Sequence, residues 1–246
     1  MSVGHAAGDL DTAMVLAAGL GQRMRPLTAD KPKPLVPVAG RTLLDRVLDR
    51  LVAGGITRAV VNVHYLGEQI IDAVATRSEP AITISDERDR LLDTGGGVAK
   101  ALPLIGDAPF FVQNADSIWI EGPENNIARM RRYWDAERMD CMLLLAMTTT
   151  STGYAGRGDF AMDANGLLSR RPETGVVPFV FAGVSIMHPR LFANAPAGAF
   201  SLNALWDQAI ASERLYGLRL EGKWMHVGSP LGLAEAETAL SEADRA

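Results

Sequence analysis

Residues 13–35 read AMVLAAGLGQRMRPLTADKPKPL, and this stretch indicates both the class of fold and the kind of ligand. Its first seven residues are a short apolar run that predicts a buried strand. Gly19 and Gly21 then turn the chain and expose backbone N–H groups that no β-carbon shields, which suits phosphate oxygens. Arg23 adds a permanent, planar positive charge. The stretch predicts a local anion site at the end of a strand, and the alternative is a solvated basic turn.

Two common phosphate motifs do not fit this stretch. The dinucleotide fingerprint G-x-G-x-x-G would need a glycine at Met24, and the pattern G-x-x-x-x-G-K-[ST] does not occur. Instead, Lys31 and Lys33 lie between prolines that favour an extended backbone and hold an ammonium toward a second phosphate. The site is therefore expected to bind neither NAD nor a nucleotide in the P-loop manner.

Apolar runs alternate with segments of helical period, which predicts an α/β fold. The predicted strands are 13–19, 59–65, 81–85, 110–116 and 141–147. The clearest helix follows Thr42, which forms a capping box with Asp45, and a second is predicted over 125–138. Such alternation implies a Rossmann-like, doubly wound, mostly parallel sheet with helices on both faces. Ligands bind such sheets at the carboxyl ends of the strands.

The pattern changes after about residue 150. A hairpin is predicted around Asn165 and Gly166, followed by a strand over 178–187 and a capped helix over 201–214. Ser229 and Pro230 are typical of the cap and first residue of a final helix. No linker separates these parts, so residues 1–246 are expected to form one domain. This domain is expected to have a first half over about 13–150, a small β-rich lid over about 151–230, and a C-terminal helix over about 230–243.

Composition restricts the partners. The formal net charge of −5 argues against nucleic acid and anionic membranes as partners, because both favour basic surfaces. Cys141 is the sole cysteine, and no signal peptide or apolar run of membrane-spanning length is present, so a cytoplasmic protein is expected. No G-x-S-x-G elbow occurs, and the four histidines lack zinc-site spacing.

The stretch LAAGLGQRMRPLTADKPKPLVPVAG (16–40) resembles the signature of the sugar-1-phosphate nucleotidyltransferases. Further similarity covers residues 91–119, 156–160, 179–192 and 223–230. The resemblance implies transfer of a nucleotidyl group from a nucleoside triphosphate to a sugar 1-phosphate, with release of pyrophosphate. Positioning and charge screening suffice for direct in-line attack by a sugar phosphate that is already an anion. A regulator that binds nucleotides without catalysis is the alternative class.

The resemblance also implies that the half over about 13–150 binds the nucleotide and that the lid over about 151–230 binds the sugar, and it implies roles for individual residues. Arg23 and Lys33 would be catalytic, Arg23 stabilising the departing pyrophosphate and Lys33 bridging the phosphates of both substrates. The glycines after Thr94 would approach the base, although the same sequence is typical of a capped helix start. The implied nucleotide-binding residues are Ala17, Gly19, Gly21, Arg23, Thr94, Gly95, Gly96 and Asn114.

The family binds a divalent cation, which implies Mg²⁺ at Asp116. The residues alone also indicate an acid at the end of a strand, although Asp116 in that position could instead cap the next helix. Many relatives have a second aspartate where this chain has His226, and an imidazole ligand would favour Mn²⁺ or another divalent cation. The alternative for His226 is a hydrogen bond to a phosphate or to the backbone.

The implied sugar-binding residues are Gly158, Asp159, Arg171 and Gly183. Where many relatives have Glu-Lys-Pro, this chain has Arg170, Arg171 and a proline, so an added positive charge either meets an acidic substituent or faces solvent. Similarity to a short bacterial branch implies UTP and N-acetylmuramate 1-phosphate, a step in cell-wall (peptidoglycan) recycling. Another hexose or heptose phosphate, another base, and a monomer or homodimer remain open.

Overall fold

The computed structural model describes residues 10–243 and 245. The predicted capping, hairpin and alternation are all found in this part of the chain. The strands in chain order are β1 Thr12–Leu16, β2 Pro37–Val38, β3 Arg41–Thr42, β4 Arg58–Val63, β5 Ala81–Asp86, β6 Phe110–Asn114, β7 Ser117–Glu121, β8 Cys141–Met147, β9 Phe160–Met162, β10 Leu168–Arg170, β11 Phe179–Met187, β12 Leu215–Arg219 and β13 Gly222–His226. The α-helices are α1 Leu43–Ala53, α2 Gly67–Val74, α3 Asp93–Ile105, α4 Asn126–Tyr133, α5 Asn203–Ala211 and α6 Pro230–Ala243. Within the described residues, no helix is long and apolar enough to cross a membrane.

One nine-stranded sheet organises the molecule. Its first half is parallel, in the order β6, β1, β4 and β5, as right-handed crossovers through helices require. β11 joins antiparallel to β6 and connects the sheet to β8, to the β9–β10 hairpin and, through β8, to β12. The predicted Rossmann-like α/β class is confirmed.

Helices cover both faces of this sheet because alternate residues of β1 point to opposite sides. Ala13 and Val15 pack into the cluster that contains the apolar faces of α1, α2 and α4. Met14, between them, packs into the cluster that contains α3 and α5. All three β1 side chains are fully buried.

The helix ends follow local chemistry. Thr42 caps α1 as predicted, because its Oγ1 accepts the N–H of Asp45 at 3.0 Å. α4 ends at Tyr133, five residues before the predicted limit. There the side chain of Asp135 accepts the N–H of Glu137 at 3.0 Å, and this local turn competes with a further helical turn.

The second half of the chain extends the same sheet and adds a short ribbon. The β9–β10 hairpin turns at Asn165 and Gly166, as predicted, and α5 begins beside Ser201, whose Oγ accepts the N–H of Asn203 at 3.3 Å. β13 pairs antiparallel with β7, and α6 packs beside this ribbon. The Oγ of Ser229 accepts the N–H of Gly232 at 3.2 Å, which caps α6 as expected.

Candidate active site

The neighbouring central strands β1 and β6 end side by side and define the site. Leu16 of β1 lies opposite Asn114 of β6, so the loops that follow both strands face each other. Between them lies a cavity of about 530 Å³, which we call the main cavity. Of the sequence-predicted site residues, the main cavity is lined by Ala17, Gly19, Gly21, Lys33, Thr94, Asn114 and Asp116.

The glycine-rich loop after β1 presents a row of backbone donors. Gly21 has φ +64°, a conformation that strains other residues, and its carbonyl accepts from the side chain of Thr28 at 2.8 Å. Buried Met24 anchors the far end of the loop, with its N–H bonded to the same carbonyl at 3.0 Å. Among the described residues, the N–H groups of 19–23 donate to no protein acceptor. The loop is therefore shaped to receive an anion.

Two buried polar residues that sequence analysis missed hold this loop in place. The Oδ1 of Asn62 accepts the N–H groups of Ala17 at 2.7 Å and Ala18 at 3.3 Å. Its Nδ2 donates to the Oε1 of Glu87 at 2.7 Å, and Glu87 is completely buried. The available signal was a single polar residue near the carboxyl end of an apolar strand. Both side chains line the main cavity.

Lys33 and Asp116 meet at the mouth of the main cavity. The Nζ of Lys33 forms an ion pair with the Oδ2 of Asp116. The side chain of Lys33 is 12% exposed and that of Asp116 38%, so the carboxylate keeps access to solvent. The buried Pro34 fixes the turn that carries Lys33. The predicted catalytic lysine thus contacts the predicted metal ligand directly.

A second cavity of about 280 Å³ begins at Asp116 and is lined by Arg23 and His226. β13 supplies His226, which lies opposite Ser117 in the ribbon and so beside Asp116. The rings of Trp224 and His226 are 5.6 Å apart. Burial lowers the pKa of His226 below its ordinary value of 6.5, while Asp116 opposes this shift. The imidazole is therefore neutral near pH 7.

The donor set for a metal is small. In the described part of the chain, no three His, Cys, Asp or Glu side chains form a group that could hold a metal ion. Asp116 and His226 supply one carboxylate and one neutral imidazole to the same cavity. One or two protein ligands are typical where a divalent cation is bound mainly by phosphates and water. The pair therefore fits a metal that enters with a triphosphate.

Gly95 and Gly96, predicted to contact the base, have a packing role in this structure. Both lie in the first turn of α3, and their N–H groups donate to the carbonyl of Phe200 at 2.8 and 3.1 Å. A β-carbon at Gly95 would lie 2.3 Å from the ring of Phe200. Neither glycine lines the main cavity, whereas Thr94 does. The glycines allow the 198–200 segment to pack against the helix.

A third cavity, of about 300 Å³, adjoins the other two. Asn114 lines all three, and Asp159 lines the second and third. The Oδ2 of Asp159 accepts the N–H of Phe181 at 2.9 Å, which fixes the carboxylate at the junction. Of the four residues predicted to contact the sugar, Asp159 alone lines any of these three cavities.

The other three predicted sugar ligands support the walls instead. Gly158 has φ +78°, and a β-carbon there would lie 2.2 Å from the carbonyl oxygen of Val177. Gly183 has φ +87° and allows β11 to approach Ser117 closely. Arg171 donates from Nε to the carbonyl of Gly158 at 2.9 Å, so its charge is directed into the loop. Because these contacts join residues that are distant in sequence, the sequence around each residue does not reveal them.

Comparison with known proteins identifies the family and supports the fold. Residues 12–165 match the family described as nucleotidyl transferase. The chain is 48% identical over 235 residues, 94% of this chain and 97% of the relative, to N-acetylmuramate alpha-1-phosphate uridylyltransferase of Caulobacter vibrioides. It is 36% identical over 233 residues, 92% of this chain and 96% of the relative, to the protein of the same name from Neisseria meningitidis.

Solved structures show the same architecture. UDP-glucose pyrophosphorylase complexed with UDP-glucose has a TM-score of 0.75 at 15% identity, covering 95% of this chain and 99% of that one. HddC from Yersinia pseudotuberculosis complexed with GMP-PN has a TM-score of 0.73 at 20% identity, and the match covers 93% of this chain and 99% of that one. At these identities the likeness supports the fold. The sequence matches establish that the chain belongs to the nucleotidyl transferase family, as a sugar-1-phosphate nucleotidyltransferase.

Proposed function

We propose that the enzyme transfers the uridylyl group of UTP to N-acetylmuramate 1-phosphate, giving UDP-N-acetylmuramate and pyrophosphate. The observation that carries this proposal is the 48% identity to the Caulobacter vibrioides uridylyltransferase, which extends over 97% of that protein. A phosphate oxygen of the sugar phosphate forms a bond to the α-phosphorus of UTP. The bond from that phosphorus to the β-phosphate bridging oxygen breaks, and its electron pair leaves with pyrophosphate.

The loop after β1 would bind the triphosphate. Its N–H groups over 19–23 donate to no protein acceptor among the described residues, and Gly19 and Gly21 line the main cavity. Exposed Arg23 lines the adjoining second cavity, where its fork can bind the oxygens that gain charge as pyrophosphate departs. Asn62 keeps the start of this loop in register by holding the N–H groups of Ala17 and Ala18.

Lys33 would screen the repulsion between the two substrates. Its ammonium forms an ion pair with Asp116. The flexible lysine stem allows the ammonium to move to a phosphate oxygen when triphosphate enters. The attacking group is already an anion, so Lys33 is needed for charge screening and alignment, and no protein general base is required.

Asp116 and His226 would hold the divalent cation, which we propose to be Mg²⁺, with Mn²⁺ better suited to the imidazole. When bound, the cation supplies further charge neutralisation at the phosphates. The chain's own residues provide the alignment, with Lys33 lining the main cavity, Arg23 lining the second cavity, and Asp116 lining both. We also propose that residues 13–150 bind the nucleotide, that residues 151–230 bind the sugar, and that the enzyme acts in the cytoplasm.

Pyrophosphate release with four nucleoside triphosphates and a panel of sugar 1-phosphates tests the proposal. UTP with N-acetylmuramate 1-phosphate should give the highest kcat/KM. Rapid turnover with GTP or ATP, and none with UTP, would contradict the uridylyl assignment. Exchange of labelled pyrophosphate into UDP-N-acetylmuramate distinguishes an enzyme from a nucleotide-binding regulator, because a regulator would bind the nucleotide sugar without exchange.

A further inference from the structure

The third cavity contains a positive charge that has no role in the proposed reaction. Arg170, at the end of β10, lines this cavity together with Asp159. The side chain of its neighbour Arg171 is directed away from this cavity and donates hydrogen bonds to backbone carbonyls of the 158–175 loop. Adjacent residues on the hairpin point to opposite sides, so one arginine of the pair braces the loop and the other faces the cavity.

The guanidinium of Arg170 is held in a fixed position. Its central carbon lies 4.8 Å from the ring centroid of Phe160 and 5.8 Å from that of Trp206. Its Nε donates to Asp207 at 2.7 Å, and Nη2 donates to the carbonyl of Asn203 at 3.2 Å. Aromatic faces and two hydrogen bonds restrict a side chain that would otherwise be mobile.

Donors remain available on this guanidinium. An arginine carries five N–H donors, and the bonds to Asp207 and Asn203 engage Nε and Nη2. Nη1 donates to no acceptor within residues 10–243. The side chain is 33% exposed, so an incoming group can reach it while the cavity wall excludes part of the solvent.

The charges around the third cavity favour one kind of substituent at one place. Among the described residues that line it, Arg170 is the single basic side chain. Asp93 and Asp159 are acidic and can accept hydrogen bonds from sugar hydroxyls. An anionic substituent is therefore repelled near Asp93 and Asp159 and attracted at Arg170. The Asp207 partner reduces this attraction but is itself well exposed, at 60%.

We propose that Arg170 selects a sugar 1-phosphate that bears a carboxylate, by binding that carboxylate through Nη1. The inference rests on the proposed function, in which the sugar carries a lactyl ether with such a group. The anomeric phosphate lies toward Lys33 and Asp116, the ring lies beside Asp159, and the lactyl group extends into the third cavity. Arg170 is thus a specificity-determining residue, and the uridylyl transfer step itself does not depend on it.

Two substrates that differ only in the lactyl ether test this assignment. N-acetylmuramate 1-phosphate and N-acetylglucosamine 1-phosphate are compared with wild type, Arg170→Met and Arg170→Lys, and Kd values of the two UDP-sugars are measured by calorimetry. Arg170→Met keeps an apolar stem on Phe160 and Trp206 but removes the charge. Arg132→Met is the matched control, because Arg132 also pairs with a carboxylate and covers a tyrosine ring, yet lines none of the three cavities.

We expect Arg170→Met to lower kcat/KM for N-acetylmuramate 1-phosphate by about 10- to 100-fold, the range for one charged hydrogen-bonded contact. The Kd of UDP-N-acetylmuramate should rise in parallel, and Arg170→Lys should recover part of the loss. Values for the N-acetylglucosamine compounds and for Arg132→Met should change less than about threefold.

Equal losses with both sugars in Arg170→Met, or no loss with either, would overturn the role of Arg170. If wild type itself neither turns over N-acetylmuramate 1-phosphate nor binds UDP-N-acetylmuramate, the proposed function has failed, and this inference fails with it. The wild-type measurement therefore separates the two failures.

Discussion

The ammonium of Lys33 and the carboxylate of Asp116 form an ion pair although 83 residues separate them in sequence. The lysine thus contacts the carboxylate proposed to hold the metal. A metal at Asp116 would compete with the lysine for this carboxylate, and the phosphates of the nucleotide would relieve the competition because they offer the lysine another partner. Binding of metal and of nucleotide should therefore be cooperative.

Lys33→Met should raise the affinity of the nucleotide-free protein for Mn²⁺ by about tenfold, since it removes a neighbouring positive charge from Asp116. Turnover should nevertheless fall by about 10²- to 10³-fold, because a charge directed at the phosphates is lost. Mn²⁺ titration followed by electron paramagnetic resonance measures the first effect and pyrophosphate release the second. Lys31→Met, at an exposed position two residues away, is the control and should change neither quantity.

Arg23→Ala should lower kcat by about 10²- to 10³-fold while leaving the melting temperature within error. Arg23 is exposed and lines the second cavity, so it contributes charge at the site and little to the core. Arg25→Ala removes an equally exposed arginine two residues further along the loop and should keep most activity. Wild-type turnover in folded Arg23→Ala would remove this residue from the mechanism.

His226→Asp should increase activity with Mg²⁺ relative to Mn²⁺, because a carboxylate is a harder ligand than an imidazole. Burial lowers the pKa of His226 below 6.5, so the loss of wild-type activity caused by protonation of this group, the acidic limb of the pH profile, should lie below about pH 6.5. The variant should lose that limb. Kinetics with each metal over a pH series measure both effects, and an unchanged metal ratio together with an unchanged pH profile would exclude His226 as a ligand.

Asn62→Ala should reduce stability and weaken nucleotide binding together. It leaves the N–H of Ala17 and the Oε1 of buried Glu87 without their Asn62 partner, and each unpaired buried group costs about 1–3 kcal/mol. The KM for UTP should rise by about tenfold because the glycine-rich loop loses its anchor. Urea unfolding and steady-state kinetics test both. Asn194→Ala, at an exposed position in another loop, serves as the control and should behave as wild type.

Cys141 should not react with a thiol reagent such as dithionitrobenzoate in the native protein at pH 8. It lies fully buried in β8, and burial raises the pKa of its thiol well above the ordinary value of 9.0. The thiolate is the reactive form, so reaction should wait for unfolding and report its rate. Rapid labelling of folded enzyme without loss of structure would contradict this burial.

The sheet was largely predictable because buried strands and amphipathic helices carry local, periodic signals. The apolar run at 13–19 predicts β1, and the Thr42 cap predicts the start of α1. Predicted elements differed from the structure where a side chain offered the backbone another hydrogen bond, as at Asp135 beyond α4. The carboxyl-end location of the site followed from strand direction alone.

The details of the site were less predictable because glycine serves two purposes. Gly19 has open space where a β-carbon would stand, whereas Gly96 would place one 2.3 Å from the carbonyl of Gly198. The sequence shows a glycine in either case, and the difference depends on a segment about 100 residues away. The roles of Arg170 and Arg171 could likewise not be distinguished from the sequence, because the register of the hairpin decides which of the two side chains faces the cavity.

The three cavities are formed by different parts of the fold. The loops after β1 and β6 and the β7–β13 ribbon line the two cavities proposed to hold the phosphates, whereas the β9–β10 hairpin and α5 supply the far wall where Arg170 lies. In the proposed reaction, choice of acceptor and chemistry of transfer therefore depend on separate segments of the chain. A chimaera that receives the hairpin and α5 of another relative should inherit a new sugar preference while keeping its own catalytic residues, a modular route by which such enzymes can diversify.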